Sequence, residues 1–320
     1  MFDRNMHVPT FVLFGVLLAV SRSFLFAQPS RTELPTTDVP ERWAIIIVGL
    51  PGDEDHVSQF ATATRAWREW LTKQLGFAEN HVVVCQGAVA DESSKTQAAT
   101  RDAIAQQCET LSAQLKPEDG LWLFVLGHGD FDGTAAHVHL PGPDPDAADF
   151  AEWLAPFQCR EQILWLTHCC AGYWLPRLSR PGRIVVTATT ADAEVNETEF
   201  PYALATVAGR APQELDLNSD QCVTFEELLA AIDAETRRRF ESNQRLPTEH
   251  AQLDDNGDVK GTELGTDPDA DRPPDPLAAN IQPDGEFSRT MVVPYRTESW
   301  KPREALPPAP STSDPPAPAK

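Results

Sequence analysis

The sequence predicts an α/β fold in which helices cover both faces of a doubly wound, mostly parallel sheet. Several short apolar runs rich in β-branched residues are bounded by small or polar residues, which is the pattern of buried strands. Longer stretches between them carry apolar residues at spacings of three and four, which indicates amphipathic helices. This alternation is typical of parallel strands joined by right-handed helical crossovers.

The first half of this pattern contains two strands and two helices. Trp43–Val48 (WAIIIV) is the first strand, and the turn residues Gly-Leu-Pro-Gly end it. A helix follows over about 55–75, His81–Cys85 (HVVVC) is the second strand, and a second helix spans about 96–115. The apolar faces of these helices are formed by Phe60, Trp67, Trp70 and Leu71 in the first and by Ile104, Cys108, Leu111 and Leu115 in the second.

The second half continues the alternation. Leu121–Leu126 (LWLFVL) and Ile163–Leu166 (ILWL) are the third and fourth strands, with a short helix over 147–154 between them. Arg183–Thr187 (RIVVT) is the fifth strand and leads to a helix over about 200–207. A long helix opens at the acidic segment 216–227 and continues to about residue 243.

The two ends of the chain have compositions unlike the middle. Residues 1–27 place Arg4 before an apolar stretch and a small residue at Ala27, which predicts an export signal or, as the alternative, an N-terminal membrane anchor. Residues 28–40 are expected to be a polar linker, 41–212 the main α/β domain and 213–264 an acidic appendage packed on it. Residues 265–320 are rich in Pro and Asp, so we expect a mostly disordered tail, apart from a candidate strand over 287–293.

Charge and cysteine content narrow the function classes. Lys and Arg total 26 against 48 Asp and Glu, a net charge of −22, which argues against nucleic acid or an anionic membrane as a partner. Divalent cations and basic substrates are compatible with this charge. The 6 cysteines are too few for a dense disulfide framework in a chain of 320 residues, so most are expected to be buried thiols.

A thiol and an imidazole follow two neighbouring strands of the predicted sheet. The third strand ends in Gly127-His128-Gly129, and the fourth ends in Thr167-His168-Cys169-Cys170. Reactive groups of open α/β sheets lie beyond the carboxyl ends of the strands, so His128 is predicted to act as the base for a Cys169 nucleophile. The backbone amides of Gly129 and Cys169 are the candidate oxyanion hole.

His168 and Cys170 remain rival candidates for these two roles. Adjacent residues of an extended chain point to opposite faces, so only one member of each pair can face the crevice.

These strand ends resemble those of the legumain, caspase and metacaspase clan of cysteine peptidases. The resemblance rests on an apolar strand ending in His-Gly and a second one ending in a Cys three residues before Gly172, and it covers about residues 43–209. The segments LPGPDPDAADFAEWL and RIVVTATTADAEVNETEF are similar to an exported bacterial branch of legumain-like proteins. The resemblance implies a caspase-like fold, a polypeptide substrate, His128 and Cys169 as the dyad, and Gly129 in the oxyanion hole. Glu194 and Glu197 are candidate contacts for a basic substrate side chain.

The acidic segment 216–227, which follows the predicted sheet, has the ligand spacing of an EF-hand loop. Oxygen-bearing residues stand at positions 1, 3, 5, 9 and 12, with a backbone carbonyl at position 7, so the loop predicts a structural Ca²⁺ site. The alternative interpretation is an acidic helix N-cap. The predicted ligands are Asp216, Asn218, Asp220, Cys222, Thr224 and Glu227.

A second acidic cluster starts in the same way. Asp254, Asn256 and Asp258 match the first three ligand positions, but Gly265 stands where the closing Glu is expected. A solvated Asn-Gly turn is the alternative interpretation.

The sequence leaves three functions open. The first is a cysteine endopeptidase that acts in an exported compartment and uses the His128 and Cys169 dyad. The second is a catalytically silent binding module that keeps the fold, and the third is a calcium-stabilised exported scaffold.

Overall fold

The fold is described from a computed structural model of the chain. The structure describes residues 40–87, 96–192, 194–266, 283–296 and residue 300. The described residues from 40 onward belong to one compact unit. The predicted export signal or anchor and most of the predicted linker lie outside the described residues.

Ten strands are present among the described residues, eight of them in one sheet. In chain order the strands are β1 (Arg42–Val48), β2 (Val82–Gln86), β3 (Gln97–Ala98), β4 (Gly120–Leu126), β5 (Gly129–Phe131), β6 (Ala136–Val138), β7 (Glu161–Leu166), β8 (Arg183–Thr187), β9 (Gln252–Asp254) and β10 (Thr262–Glu263). The large sheet has the order β10-β9-β8-β7-β4-β1-β2-β3, and β5 and β6 form a separate hairpin. The strands from β3 to β8 in this order pair in parallel, while β9 and β10 pair antiparallel.

Helices connect and cover these strands. They are α1 (Glu54–Glu69), α2 (Arg101–Ser112), α3 (Ala147–Leu154), α4 (Leu175–Leu178), α5 (Phe200–Ala208), α6 (Pro212–Leu215), α7 (Phe225–Ser242) and α8 (Glu286–Thr290). A π-helical turn over Trp70–Gln74 extends α1, and short 3-10 turns lie at Glu79–His81 and Ala171–Trp174. Among the described residues, no helix combines the length and the apolar character that crossing a membrane requires.

Two hydrophobic cores lie on opposite faces of the sheet because successive side chains of a strand alternate. Ala44 and Ile46 of β1 face the core beneath α1, α5 and α7, while Ile45 and Ile47 face the core beneath α2, α3 and α4. Both faces of the central strands are therefore buried, which explains their nearly continuous apolar sequences.

The structure confirms the α/β class and the mostly parallel sheet with its helices. All five predicted strands are present, and Ala147–Leu154 and Arg183–Thr187 have the predicted bounds. The second helix begins later than predicted, at Arg101, because the Thr100 side chain accepts a hydrogen bond from the Ala103 amide and caps it.

Residues 213–264 contribute to the main sheet and its core. Phe225, Leu228 and Ile232 of α7 are buried in the same core as α1 and α5, since their spacing places them on one side of the helix. Strands β9 and β10 extend the sheet beyond β8. This segment is therefore integrated into the fold, which differs from the appendage expected from the sequence.

The candidate strand over 287–293 was wrong. Residues Glu286–Thr290 form α8, and Val292 pairs with Thr224 in a single antiparallel bridge. The carboxylate of Asp255 accepts hydrogen bonds from the amides of Gly285 and Ser288, which satisfies donors at the start of this helix.

A buried acid on the segment before β9 gives the folded state a pH dependence. Burial raises the pKa of Glu249 to about 8, and its carboxyl accepts a hydrogen bond from the Glu199 amide. The unfolded chain releases this proton near pH 4.5, whereas the folded chain keeps it up to about pH 8. The contribution of Glu249 to stability is therefore complete below pH 4.5 and is lost as the pH rises towards 8, by up to about 1.4 kcal/mol for each pH unit.

We expect Glu249→Gln to remove this dependence, because an amide cannot ionise. Urea unfolding of the wild type and the variant between pH 5 and about 8 checks it. Equal slopes of unfolding free energy against pH in the two proteins would contradict the assignment.

Candidate active site

The carboxyl ends of β4 and β7 lie side by side. These parallel strands pair up to Val125 and Leu166, and the Thr167 amide continues the pairing with a hydrogen bond to the Val125 carbonyl, 3.0 Å. His128 follows β4, and Cys169 follows β7 on the neighbouring connection. The strand register thus places both residues at one edge of the sheet.

The thiol of Cys169 contacts the residue that follows His128. The Gly129 amide donates a hydrogen bond to the Cys169 sulfur at 3.3 Å, and the thiol donates to the Gly129 carbonyl at 3.0 Å. The Gly129 amide is consequently directed at the Cys169 sulfur, beside which the sequence predicts an oxyanion hole.

The imidazole of His128 is held by a backbone carbonyl and two aromatic rings. Its Nε2 lies 3.1 Å from the Pro51 carbonyl oxygen in the turn after β1. Since a carbonyl oxygen only accepts, Nε2 carries the proton in the neutral ring and Nδ1 has the free lone pair. The rings of His56 and Phe60, both on α1, pack against it at centroid distances of 4.7 and 5.5 Å.

The environment keeps the Cys169 thiol protonated in this state. Cys169 is only 4% exposed. Burial raises the pKa of its thiol, whereas the hydrogen bond from the Gly129 amide lowers that pKa. The negative charges of Asp130 and Glu197 raise that pKa further. Formation of a thiolate therefore requires a base that accepts the proton when a substrate enters.

His168 and Cys170, the rival candidates, are enclosed on the other side. His168 is fully buried beside Trp174, its Nδ1 lies 2.9 Å from the Cys169 carbonyl, and burial lowers the pKa of His168 to about 4. Cys170 is fully buried as well, and burial raises the pKa of its thiol to about 11. Neither side chain offers a base or nucleophile at the crevice.

The turn that carries Cys169 is fixed by close backbone packing. Cys170 has a left-handed backbone (φ 59°), and its amide donates to the Glu194 carbonyl at 3.1 Å. Gly172 lies so close to the next loop that a Cβ there would be 2.2 Å from the Thr190 carbonyl carbon and 2.4 Å from the Ala191 nitrogen. Only glycine fits at this position without movement of the backbone.

His56 is a neighbour of the candidate dyad that sequence reasoning missed. Its Nδ1 pairs with Asp53 at 2.7 Å and its Nε2 with Glu197 at 2.9 Å. The hydrogen bond that His56 donates to the Glu197 carboxylate is the main cause that raises the pKa of His56. The two carboxylates fix the ring edge-on to His128, at an interplanar angle of 78°. One feature of the sequence could have indicated this residue: His56 stands three residues after Asp53 at a helix start, directly after a glycine-containing turn.

For the endopeptidase function expected from the sequence, His56→Ala should lower kcat about tenfold or more, because His128 loses the ring that restricts its orientation. We expect KM for a peptide substrate to change less. Comparison of kcat and KM in this variant and in His56→Gln checks it, since glutamine retains a planar group between the carboxylates. Unchanged kcat in the alanine variant would contradict a positioning role.

The two candidate substrate-binding glutamates have different surroundings. The carboxylate of Glu194 already has partners within the protein. It accepts hydrogen bonds from the Thr190 and His250 amides and contacts the His250 ring at 2.5 Å. The side chain of Glu197 is 39% exposed and borders a cavity of about 540 Å³ beside α1, α5 and α7. Of the two, Glu197 alone faces space that a ligand can enter.

The predicted calcium loop is closed by its own hydrogen bonds. Asp216 accepts from the Asp220 and Gln221 amides, and Glu227 accepts from Leu217. The further bonds within this loop involve Asn218, Asp220, Cys222 and Thr224.

Thr224 and Glu227 form a capping box at the start of α7, which is the alternative that the sequence left open. Among the described acidic, histidine and cysteine side chains, the set with ligand atoms converging within 4.8 Å is instead Asp254, Asp258 and Asp284. A Ca²⁺ ion in the loop ending at Glu227 remains a prediction.

The chain matches no protein-family model, and a search of curated proteins finds no similar sequence.

Proposed function

We propose that the protein is a cysteine endopeptidase of the legumain and caspase type, with Cys169 as nucleophile and His128 as general base. One observation carries the proposal: the Cys169 sulfur makes hydrogen bonds to both backbone polar groups of Gly129, the residue after His128. A thiol, an imidazole and an amide donor at one sheet edge are the groups that acyl transfer needs.

The first half of the proposed reaction forms an acyl-enzyme. His128 Nδ1 accepts the thiol proton, and the Cys169 sulfur attacks the scissile carbonyl carbon. The Gly129 amide donates to the oxyanion of the tetrahedral intermediate. When the C–N bond breaks, the imidazolium of His128 returns its proton to the leaving amine.

The second half releases the acyl group. His128 removes a proton from water, the hydroxide oxygen attacks the thioester carbon, and the carbon–sulfur bond breaks. The proton then returns to the sulfur, which restores the starting state. The Nε2 hydrogen bond to Pro51 preserves the tautomer that both halves require.

The charges around the crevice favour a basic substrate side chain. The side chains of Asp53, Asp130 and Glu197 are 60%, 59% and 39% exposed, and Glu197 and Asp130 act on the thiol pKa. A lysine or arginine near the scissile bond complements these carboxylates and offsets their repulsion of the forming thiolate.

Incubation of the purified, reduced chain with a peptide mixture tests the proposal. We expect new N-termini after a restricted set of residues, enriched in lysine and arginine, and loss of cleavage after treatment with a thiol alkylating reagent. Cleavage that persists in Cys169→Ala would overturn the proposed nucleophile.

A silent binding module is the second candidate, and the 4% exposure of Cys169 favours it. In that case the folded chain cleaves none of the peptides between pH 5 and 9, yet retains some of them in a pull-down at low salt. This result would replace the endopeptidase by a peptide-binding function at the same crevice.

A further inference from the structure

Three aspartates from two separate segments of the chain converge beside the antiparallel edge of the sheet. One carboxylate oxygen from each of Asp254, Asp258 and Asp284 lies within 4.8 Å of the others. Asp254 ends β9, Asp258 follows in the next turn, and Asp284 lies just before α8. We call these residues the three-aspartate cluster.

Two members of the cluster, Asp254 and Asp284, are buried, and the third, Asp258, is partly buried. Asp254 is 0% exposed and Asp284 is 5% exposed, and among the described residues no lysine or arginine side chain pairs with either. The Oδ2 atom of Asp254 is buried without a hydrogen-bond partner, while its Oδ1 accepts from the Gly257 amide at 2.9 Å. A buried carboxylate oxygen without a donor is costly unless another group neutralises it.

The proximity of like charges increases this cost. One carboxylate oxygen from each of Asp254, Asp258 and Asp284 lies within 4.8 Å of the others, so three acidic groups face one another across a short distance. Bound cations reverse this repulsion, because they are the largest local charge in such a site.

The carboxylate oxygens of the three-aspartate cluster are the type of ligand that a hard divalent cation prefers. Carboxylate oxygens are the preferred ligands of Ca²⁺, at distances of about 2.3 to 2.6 Å, so two ligands of one ion lie up to about 5 Å apart. The 4.8 Å limit of the cluster is within that span. Asp254, Asn256 and Asp258 have the alternating spacing of a calcium loop, and Asp284 supplies the acid that the sequence lacks at position 12.

An ion at this place would join two segments that are distant in the chain. Asp284 accepts a hydrogen bond from the Thr262 hydroxyl at 2.7 Å, and Asp255 accepts from the Ser288 hydroxyl at 2.6 Å. Beyond α8, the Val293 amide donates to the Val223 carbonyl at 2.8 Å. Residues 283–296 are thus already held against β9, β10 and the start of α7, with Asp284 at the junction.

We propose that Asp254, Asp258 and Asp284 form a Ca²⁺ site that fastens residues 283–296 to the edge of the sheet. This site is distinct from the loop ending at Glu227 and does not depend on the catalytic proposal. The ion supplies the positive charge that Asp254 Oδ2 lacks, and it couples the order of α8 to binding.

Thermal unfolding of the full chain with CaCl₂ tests the proposal. We expect saturating Ca²⁺ to raise Tm by about 5 °C or more, and Asp284→Asn to lose most of this rise. Glu286→Gln is the matched control, since it removes an exposed charge in the same segment and should retain the full rise. If Asp284→Asn does not fold, Asp258→Asn replaces it, because Asp258 is only partly buried.

Hydrogen exchange provides a readout that is specific to the segment. Ca²⁺ should slow exchange of the Ser288 and Val293 amides in the wild type and in Asp216→Asn, a variant of the other acidic loop. A calcium-dependent shift that survives in folded Asp284→Asn, or that disappears in Asp216→Asn, would overturn the proposal.

Discussion

Cys169→Ala should reduce peptide hydrolysis to background, and His128→Ala should lower kcat on the order of 10² to 10⁴-fold. The first change removes the atom that bonds to the substrate. The second removes the proposed base for a thiol whose pKa is raised by burial and by the charges of Asp130 and Glu197. Because the pKa of this thiol is raised, the loss in His128→Ala should be largest near neutral pH.

Two control variants make this result specific. Cys159 is another buried thiol, and burial raises its pKa to about 11. It lies just before the amino end of β7, whereas the crevice lies at the carboxyl end, so Cys159→Ala tests the loss of a cysteine away from the candidate site. His139→Ala removes an imidazole that pairs with Asp130 at 3.5 Å. Both variants should keep kcat within a few fold of wild type, and a loss equal to that of the dyad variants would contradict the assigned roles.

Gly172→Ala should destabilise the folded chain by about 3 kcal/mol or more. The added Cβ would lie 2.2 Å from the Thr190 carbonyl carbon, so one of the two backbones must move. The turn from Cys169 to Gly172 carries the proposed nucleophile, so its displacement should also abolish peptide hydrolysis by the protein that remains folded. Urea unfolding and peptide hydrolysis measure the two effects.

Gly209→Ala is the matched control for this substitution. Gly209 has a φ of −83°, which alanine readily adopts, and the nearest atom to an added Cβ is the Thr206 carbonyl oxygen at 3.4 Å. Its free energy of unfolding should change by less than about 1 kcal/mol. If Gly172→Ala is equally mild, the loop after β8 does not fix the nucleophile turn.

The central strands were predictable because burial on both faces leaves little choice of residue. The predicted runs LWLFVL and ILWL lie inside β4 and β7, and the predicted ends of both strands are within two residues of the observed ends. The hairpin of β5 and β6 was missed because its strands are only three residues long. So short a segment shows no periodicity that separates it from a loop.

The residues of the candidate site were predictable where they follow strand ends, and they were missed where they meet through tertiary contacts. His128, Gly129 and Cys169 come directly after apolar runs, whereas His56 reaches the site from α1 and is paired with Glu197 from a distant loop. Asp284 likewise meets Asp254 across a long separation in the chain. No spacing rule links such residues, since the sheet and its covering helices bring them together.

Covalent labelling is the most direct measurement of the central claim, that His128 activates the Cys169 thiol. The reduced protein is treated with a peptidyl electrophile, and the modified residue is mapped by mass spectrometry. We predict a single adduct on Cys169 in the wild type and in His139→Ala, and at least a hundredfold slower labelling in folded His128→Ala. Slow and equal modification of several cysteines, at rates that His128→Ala leaves unchanged, would contradict it.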